Sequence, residues 1–298
     1  MKKSWASIVA AAMTALPATT AVSAPAAPAA PAIIGGDPVK ANVFTWQVGI
    51  IDANPAASRA SARIWCGGVL ISPRHVLTAA HCIDRNRSDD PEFAPIVPGE
   101  TTVVANATNI QTDGSVHAVS AITQHPRWKK TGTTMDFDAA ILTLQSPVTG
   151  FPIRISRRTI NASVGQAWVS GWGLTERGTV SETLNGLRVP IVDYAQCVTG
   201  NDYADKITNQ MLCAGYPGGR KDSCGGDSGG PLVVGSLGKV QLIGLVSWGK
   251  DCAVANQYGV YTRVSQIRDW IASTTNNAVT FTSEVPGPLF DIPKAGEI

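Results

Sequence analysis

The sequence predicts an all-β protein, arranged as a sandwich or as β-barrels, with one short helix near its C-terminal end. Apolar runs between Ile33 and Ser273 are short and are cut by turn residues, which is typical of sandwiches and barrels. This segment is longer than one small barrel needs, so two barrels are favoured. Gln266–Ser273 has the pattern of a helix, and Ser265 stands where an N-cap would.

The predicted strands are short apolar runs separated by turn residues, and Ser146–Pro152 is a candidate crossing between the two barrels. The clearest of these strands are Gln47–Ile51, Gly68–Ile71, Ala139–Leu144, Ala167–Ser170, Gly186–Val192, Pro231–Val234 and Val240–Trp248.

Both ends of the chain differ in composition from its middle. Residues 1–24 combine Lys2 and Lys3 with a short apolar run and an Ala-x-Ala site, which predicts a secretory signal peptide. Residues 25–32 repeat Pro and Ala, and are expected to be a short propeptide or linker. Residues 274–298 are polar and rich in Pro and Gly, which predicts a loosely held C-terminal tail.

Charge and cysteine content narrow the class of protein. Lys2 and Lys3 account for the net charge of +2, so the rest of the chain has no cationic field and nucleic acid is not an expected partner. No window is long and apolar enough for a membrane span, and an exported, extracellular product is expected. The six cysteines then indicate three disulfides. Fifteen pairings are open to them, and the spacing favours Cys66–Cys82, Cys197–Cys213 and Cys224–Cys252.

The strongest chemical motif is the string that runs from Gly226 to Pro231. It contains G-x-S-x-G around Ser228, which also occurs at the nucleophile of α/β-hydrolases. Those enzymes need a histidine after the serine, whereas the four histidines here all precede Ser228. A serine nucleophile therefore needs a base from earlier in the chain.

His81, in Ala79-Ala80-His81-Cys82, and Asp138, at the mouth of an apolar strand, precede Ser228 in the order of a chymotrypsin-type triad. Asp136 competes with Asp138 for the carboxylate role, but only Asp138 adjoins the apolar run. The remaining histidines are expected to be structural or exposed; they are His75, His117 and His125.

With these residues the chain resembles the trypsin/chymotrypsin family of serine proteases over about residues 33–273. Further matching strings follow in the family's order: Ile33-Ile34-Gly35-Gly36, Trp65-Cys66-Gly67-Gly68, Ser170-Gly171-Trp172-Gly173, Ser247-Trp248-Gly249 and Gly259-Val260-Tyr261. The resemblance implies two six-stranded antiparallel Greek-key barrels with the active site between them.

The resemblance also implies a role for each site residue. Ser228 would attack, His81 would transfer the proton, and Asp138 would orient His81 with a hydrogen bond from Ser247. The backbone N–H groups of Gly226 and Ser228 would form the oxyanion hole.

Asp222 would lie at the bottom of a pocket for Arg or Lys, where a substrate cation would pair with it. The other residues expected to bind substrate are Ser223, Ser247, Trp248, Gly249 and Gly259. Asp251 stands at the pocket mouth, where the family usually has Gly. Its side chain would either add a preference for substrates with further positive charge or narrow the entrance of the pocket. Cleavage before Ile33 would free an amine that pairs with Asp227, so the chain would be a zymogen. Because Ala32 precedes Ile33, a second protease would be needed to activate it.

The sequence therefore predicts a secreted, monomeric serine endopeptidase that cleaves after Arg or Lys. Its partners would be protein or peptide substrates, an activating protease and protein protease inhibitors. No cofactor or metal is expected, with a sodium ion near Tyr258 as the alternative, since some relatives have such a site. The rival functions are a catalytically silent, protease-like binding protein and a serine protease with non-basic specificity.

Overall fold

The computed structural model of the protein describes residues 33–53, 64–85, 94–131, 134–199 and 203–291. The predicted signal peptide and linker, residues 1–32, and the last seven residues lie outside this part of the chain.

Strands dominate the described residues. In the first half they are β1 Asp37–Pro38, β2 Gln47–Asp52, β3 Ile64–Ser72, β4 His75–Thr78, β5 Thr101–Ala105, β6 Ser115–Gln124, β7 Lys129–Thr131, β8 Thr134–Asp136 and β9 Ala140–Leu144. In the second half they are β10 Arg154–Ser156, β11 Gln166–Gly171, β12 Asn185–Val192, β13 Met211–Ala214, β14 Pro231–Val234, β15 Gln241–Trp248, β16 Gly259–Arg263 and β17 Phe281–Thr282.

The helices in the described part of the chain are short. The α-helices are α1 Tyr194–Val198 and α2 Arg268–Thr274, and the 3-10 helices are Ala80–Ile83, Pro98–Glu100, Ala162–Val164 and Val264–Gln266. Ile267 is the N-cap residue of α2 and makes no side-chain cap, so the prediction that Ser265 caps this helix is wrong. The hydroxyl of Ser265 instead lies 3.5 Å from that of Thr159.

Two closed barrels of six strands each form the body of the protein, which confirms the predicted fold class. The first barrel closes in the order β2-β3-β4-β9-β6-β5. The second follows the order β14-β11-β12-β13-β16-β15 and closes through the pairing of β14 with β15. The pairings around both rings are antiparallel, as expected for barrels in which strands are joined by short turns.

Each barrel has an apolar interior, and a third apolar cluster joins the two. The strand β6 shows why the outer surfaces are polar: its buried positions alternate with exposed ones. The joining cluster includes Ile141 of the first barrel, Val233 of the second and Ile271 of α2. The catalytic residues predicted from the sequence lie on loops beside this junction.

The end of the chain differs from the prediction of a loosely held tail. The strand β17 pairs in parallel with β10, where Ile155 lies opposite Phe281. Further on, Phe290 is only 8% exposed and packs near the rings of Phe44 and Trp168. Its carbonyl accepts a hydrogen bond of 2.9 Å from Trp168 Nε1. The prediction is therefore wrong for residues 275–291, because apolar burial and strand pairing hold this segment against the second barrel.

The side chain of the neighbouring Asp291 forms an ion pair with Arg188 on β12. Arg188 also donates a hydrogen bond of 3.2 Å to the carbonyl of Phe290, and its guanidinium lies over the ring of Trp168. We call residues 281–291 the C-terminal strap. It packs along β10, β11 and β12.

Three disulfides link the cysteines that the spacing favoured as partners. They are Cys66–Cys82, Cys197–Cys213 and Cys224–Cys252. The first and third lie directly beside the residues discussed next. No helix among the described residues is long and apolar enough to cross a membrane.

Candidate active site

His81 and Asp138 meet at the edge of the first barrel. His81 lies in the 3-10 helix that follows β4, and Asp138 lies in the short link between β8 and β9. Nδ1 of His81 is 2.7 Å from Oδ2 of Asp138, and the backbone N–H of His81 donates to Oδ1 at 2.9 Å. Since an ionised carboxylate only accepts, Nδ1 carries the proton and Nε2 is left as the basic nitrogen.

The carboxylate of Asp138 is fully buried and is held from the second barrel as well. Ser247 on β15 donates a hydrogen bond of 2.6 Å to Oδ2. Thr262 on β16 donates one of 2.8 Å to the backbone carbonyl of Asp138. These donors compensate for the removal of the charge from water and fix the carboxylate where the two barrels meet.

Asp136 does not take this position. Its Oδ1 accepts a hydrogen bond of 2.6 Å from Thr208. The three other histidines lie elsewhere: His75 pairs with Ser72, His117 with Ser115, and His125 stacks on Phe137. Only His81 joins a buried carboxylate to the cavity that contains Ser228.

Ser228 is half-buried in the tight loop that precedes β14. Its carbonyl accepts from the N–H of Gly67 at 2.8 Å, and the next residue, Gly229, donates to the carbonyl of Val246 at 2.7 Å. Gly229 has φ +75°, and an added Cβ would lie 2.6 Å from the carbonyl oxygen of Gly67, so the tight turn requires glycine there. Ser228 and His81 line one cavity of about 280 Å³.

Free backbone donors lie beside Ser228. Gly226 has φ +93°, in the left-handed region that favours glycine. Within the part of the chain that the structure describes, the N–H groups of Gly226 and Ser228 donate no hydrogen bond, whereas that of Asp227 between them donates to Cys224. Two such donors on either side of one residue are suited to hold a negatively charged oxygen.

A second buried carboxylate, that of Asp227, supports this loop from below. It is fully buried and accepts from the N–H groups of Gly173 at 2.8 Å and Cys224 at 2.9 Å. Burial, and to a lesser extent the nearby charge of Asp222, raise the pKa of Asp227 to about 7, although its two backbone hydrogen bonds act in the opposite direction. Among the described residues, no cationic side chain forms an ion pair with this carboxylate.

Ile33 lies at the start of the described chain and is fully buried in the core of the second barrel. The next residue, Ile34, forms a bridge with Asp222, whose N–H donates to the carbonyl of Ile34 at 3.0 Å. The segment that begins at Ile33 thus packs against the same loop that contains Asp222 and Asp227.

A separate cavity of about 170 Å³ opens beside Ser228. Asp222 lies in its wall and is only 5% exposed. Its Oδ2 accepts from the N–H of Ala253 at 3.2 Å, while its Oδ1 is buried without a partner among the described residues. Burial raises the pKa of Asp222 to about 7.

All the residues that the sequence predicted for substrate binding line this cavity. They are Asp222, Ser223, Ser247, Trp248, Gly249 and Gly259. An added Cβ at Gly259 would lie 3.1 Å from Oδ1 of Asp222, so a side chain there would crowd the carboxylate. Asp251 also lines the cavity and is exposed, and it forms no ion pair within the described residues.

The described residues contain one group of three potential metal ligands close together: Cys66, His81 and Cys82. The two cysteines are bonded to each other, so this group is not a metal site. Tyr258 is buried, with its hydroxyl 3.1 Å from Nε2 of Gln196 and its carbonyl accepting from the hydroxyl of Tyr203. A sodium ion near Tyr258 stays a prediction.

Sequence reasoning missed Thr262, which fixes the backbone of Asp138, and it named Gly173 only within a matching string, without its hydrogen bond to Asp227. Neither has a local motif that marks this role, because both act across long sequence separations. The structure also shows a positive φ of +53° at Phe137, the bulky residue directly before Asp138, which no sequence pattern indicated.

The two-barrel fold and a Ser–His–Asp set at the barrel junction define a chymotrypsin-like serine protease architecture. The family model described as Trypsin matches residues 33–271. The chain is 38% identical to coagulation factor IX of Oryctolagus cuniculus over 250 residues, which span 80% of this chain and 82% of the relative. It is 34% identical to coagulation factor IX of Cavia porcellus, with 80% of each chain covered. The chain therefore belongs to the trypsin family of serine proteases, and it is a hydrolase of peptide bonds.

Proposed function

We propose that the protein is a secreted endopeptidase that cleaves after Arg or Lys once Ile33 has become its N-terminus. The observation that supports this specificity is the state of Asp222. This carboxylate is 5% exposed, and one of its oxygens has no hydrogen-bond partner among the described residues. It lies in the wall of a cavity that also reaches Ser228. A guanidinium or ammonium group of the substrate would form an ion pair with this buried carboxylate. The planar guanidinium would do so with two parallel hydrogen bonds.

The chemistry proposed for the site is acyl transfer. As Oγ of Ser228 attacks the carbonyl carbon, Nε2 of His81 accepts its proton, and the buried Asp138 stabilises the resulting imidazolium. The carbonyl oxygen, now negative, would be held by the free N–H groups of Gly226 and Ser228. One donor of this kind is typically worth about 3 kcal/mol.

His81 then gives the proton to the leaving nitrogen, the C–N bond breaks, and the acyl group stays on Ser228 as an ester. A water molecule then attacks the ester: His81 takes one proton from the water, and the water oxygen bonds to the carbonyl carbon. His81 gives this proton to Oγ of Ser228 as the ester C–O bond breaks, which releases the acid and restores the serine.

Activation is proposed to complete the support of Asp227. The uncleaved chain leaves this buried carboxylate with a raised pKa, and an amine released at Ile33 would provide the missing cation. Ile33 is fully buried in the apolar core of the second barrel, and this position supports the proposal. A second protease would act as activator, because the bond to be cut follows Ala32.

Secretion is proposed from two features. The N-terminal segment has the composition of a signal peptide, and three disulfides pair all six cysteines, which is typical of an oxidising compartment. Protein inhibitors that present an Arg or Lys to the Asp222 cavity are the expected natural antagonists.

The test is a comparison of Asp222→Ser with the matched control Asp269→Ser, whose side chain is 91% exposed on α2. Peptide anilides that differ only in having Arg or Phe before the cleaved bond would serve as substrates. Asp222→Ser should lower kcat/KM for the Arg substrate on the order of 10³-fold, since the substrate cation would be buried without a partner. Asp269→Ser should change nothing.

Retention of Arg preference by Asp222→Ser would refute the pocket assignment. Equal activity of the parent protein on Phe would instead favour non-basic specificity. The absence of hydrolysis of either substrate, with Ile33 free, would favour the silent binding protein.

A further inference from the structure

We propose that Phe137 is a positioning residue, which holds the orienting carboxylate of Asp138 in place through a strained backbone. The proposal rests on the triad role proposed for Asp138. Phe137 has φ +53°, in the left-handed region that residues with a bulky side chain rarely adopt. It lies directly before Asp138, so its torsion sets the direction in which the next side chain leaves the backbone.

The strain is maintained by contacts on each side of the strained bond. On one side, Asp136 is fixed by its hydrogen bond of 2.6 Å from Thr208 of the second barrel. On the other side, the carbonyl of Asp138 is fixed by Thr262, and the carbonyl of Ala139 accepts from the N–H of His125 at 2.9 Å. A sparsely populated torsion persists only where the surroundings determine it in this way.

The ring of Phe137 provides the remaining constraint. It is 5% exposed and stacks on His125, with ring centres 4.7 Å apart and planes within 9° of parallel. The guanidinium of Arg127 lies over the same ring, 4.2 Å from its centre. Behind it, Trp270 of α2 meets His125 edge-on at 4.8 Å. A ring held by these partners cannot follow the backbone back to an ordinary extended torsion.

The electrostatic state of this ring cluster agrees with a permanent structural role. Burial, and then the positive charge of Arg127, lower the pKa of His125 to about 4. The imidazole is therefore neutral near pH 7, and it stacks on Phe137 without adding a second charge to that of Arg127.

The consequence concerns catalysis rather than packing alone. A core phenylalanine needs no positive φ, and a regular strand could bury the same ring. The left-handed torsion is needed because the carboxylate of Asp138 must meet His81 and Ser247 at once, at 2.7 and 2.6 Å. If φ relaxed toward the extended region, the carboxylate would swing away from at least one of them.

Two substitutions separate torsion from packing. Phe137→Ala removes the ring and leaves a residue that disfavours positive φ, so the backbone should relax. Phe137→Gly removes the ring and the Cβ atom as well, but glycine adopts a positive φ at no steric cost. We expect kcat on an Arg anilide to fall about 100-fold in Phe137→Ala and no more than about 10-fold in Phe137→Gly, with KM within twofold in both.

The dependence of kcat on pH should also change more in Phe137→Ala than in Phe137→Gly. An imidazolium that loses part of its carboxylate partner is less stable, so the acid limb of the kcat profile should shift to lower pH in Phe137→Ala and stay in place in Phe137→Gly. Phe44→Ala is the matched control, because Phe44 is also 5% exposed in the same apolar cluster. It should lower the melting temperature and leave kcat and the pH profile unchanged.

A measurement independent of turnover completes the test. In a Ser228→Ala background, the proton between Nδ1 of His81 and Asp138 should give a low-field NMR resonance that persists in Phe137→Gly and shifts or disappears in Phe137→Ala. A kcat within twofold of the parent in Phe137→Ala, or equal losses in the two variants with an unchanged resonance, would overturn the proposal. If the parent protein hydrolysed nothing, the proposed function would fail, whereas the resonance would still decide the positioning role.

Discussion

Truncation of Phe290 to Ala should destabilise the whole protein, although this residue lies in a segment whose composition predicts a loose tail. Phe290 is 8% exposed and packs near Phe44 and Trp168. Replacing a fully buried phenylalanine by alanine typically costs 3–5 kcal/mol. Because most residues of the C-terminal strap are exposed and can adjust around a cavity, we expect the low end of this range, about 3 kcal/mol. For a domain of this size that loss lowers the melting temperature by roughly 10 °C.

The assay is thermal and guanidinium unfolding, followed by circular dichroism, in a Ser228→Ala background that prevents self-digestion. Val285→Ala is the control within the same strap, because Val285 is 72% exposed and should cost almost nothing. If Phe290→Ala and Val285→Ala unfold within about 0.5 kcal/mol of each other, the strap is not docked as described.

Three further predictions follow from the site. Ser247→Ala removes the 2.6 Å donor to the buried Asp138, so kcat/KM should fall at least about 10-fold while the melting temperature changes little; unchanged kinetics would contradict this role. In the uncleaved chain, burial raises the pKa of Asp227 from 3.8 to about 7. The folded protein therefore binds a proton more tightly than the unfolded chain. As the pH rises from about 4 to 7, the free energy of unfolding should fall by at most about 4 kcal/mol. Between pH 4 and 7 in urea titrations, Asp227→Asn should lose less stability than the parent, with the remaining loss coming from Asp222, whose pKa burial also raises to about 7. Parallel pH dependence of the two proteins would refute the role of Asp227. Asp251→Gly removes an exposed carboxylate from the cavity that Asp222 lines. The substitution should lower kcat/KM for an Arg substrate a few-fold at low salt and leave it unchanged at 0.5 M NaCl. A loss that does not depend on salt would exclude a charge effect.

The sequence was most informative where the chemistry depends on short strings of residues. Ser228 and its flanking glycines form one tight turn, and His81 is joined to Cys82, so each functional side chain has a local pattern around it. The choice of Asp138 over Asp136 also followed from a local feature, the apolar strand that begins after it. The structure places His81, Asp138 and Ser247 in hydrogen-bond contact, which is the arrangement that the family resemblance, rather than the local pattern, implied.

Long-range packing was harder to predict. The strap consists mainly of polar residues, Pro and Gly, and its few aromatic side chains find partners far away in the sequence: Trp168 precedes Phe290 by 122 residues. Parallel pairing of β17 with β10 leaves no hairpin signal. The aromatic residues Phe281 and Phe290, in an otherwise polar segment, were the available hint that the tail has an apolar partner.

Sequence patterns also failed to predict where the late helix begins and which residue has a strained backbone torsion. Ser265 looked like an N-cap, but a 3-10 turn at Val264–Gln266 occupies that place and the α-helix starts later. The positive φ of Phe137 contradicts the preference of its own side chain, so local propensity predicts the opposite conformation. Such a torsion is imposed by contacts from several elements.

The central claim is that Ser228 hydrolyses bonds that follow a cation held by Asp222. The most direct test is hydrolysis of matched peptide anilides with Arg, Lys, Phe or Ala before the cleaved bond, by protein whose N-terminus has been sequenced as Ile33. Cleavage of the Arg and Lys substrates alone, abolished by Ser228→Ala, is the predicted result. Cleavage of Phe or Ala substrates at similar rates, or activity that survives Ser228→Ala, would contradict the account.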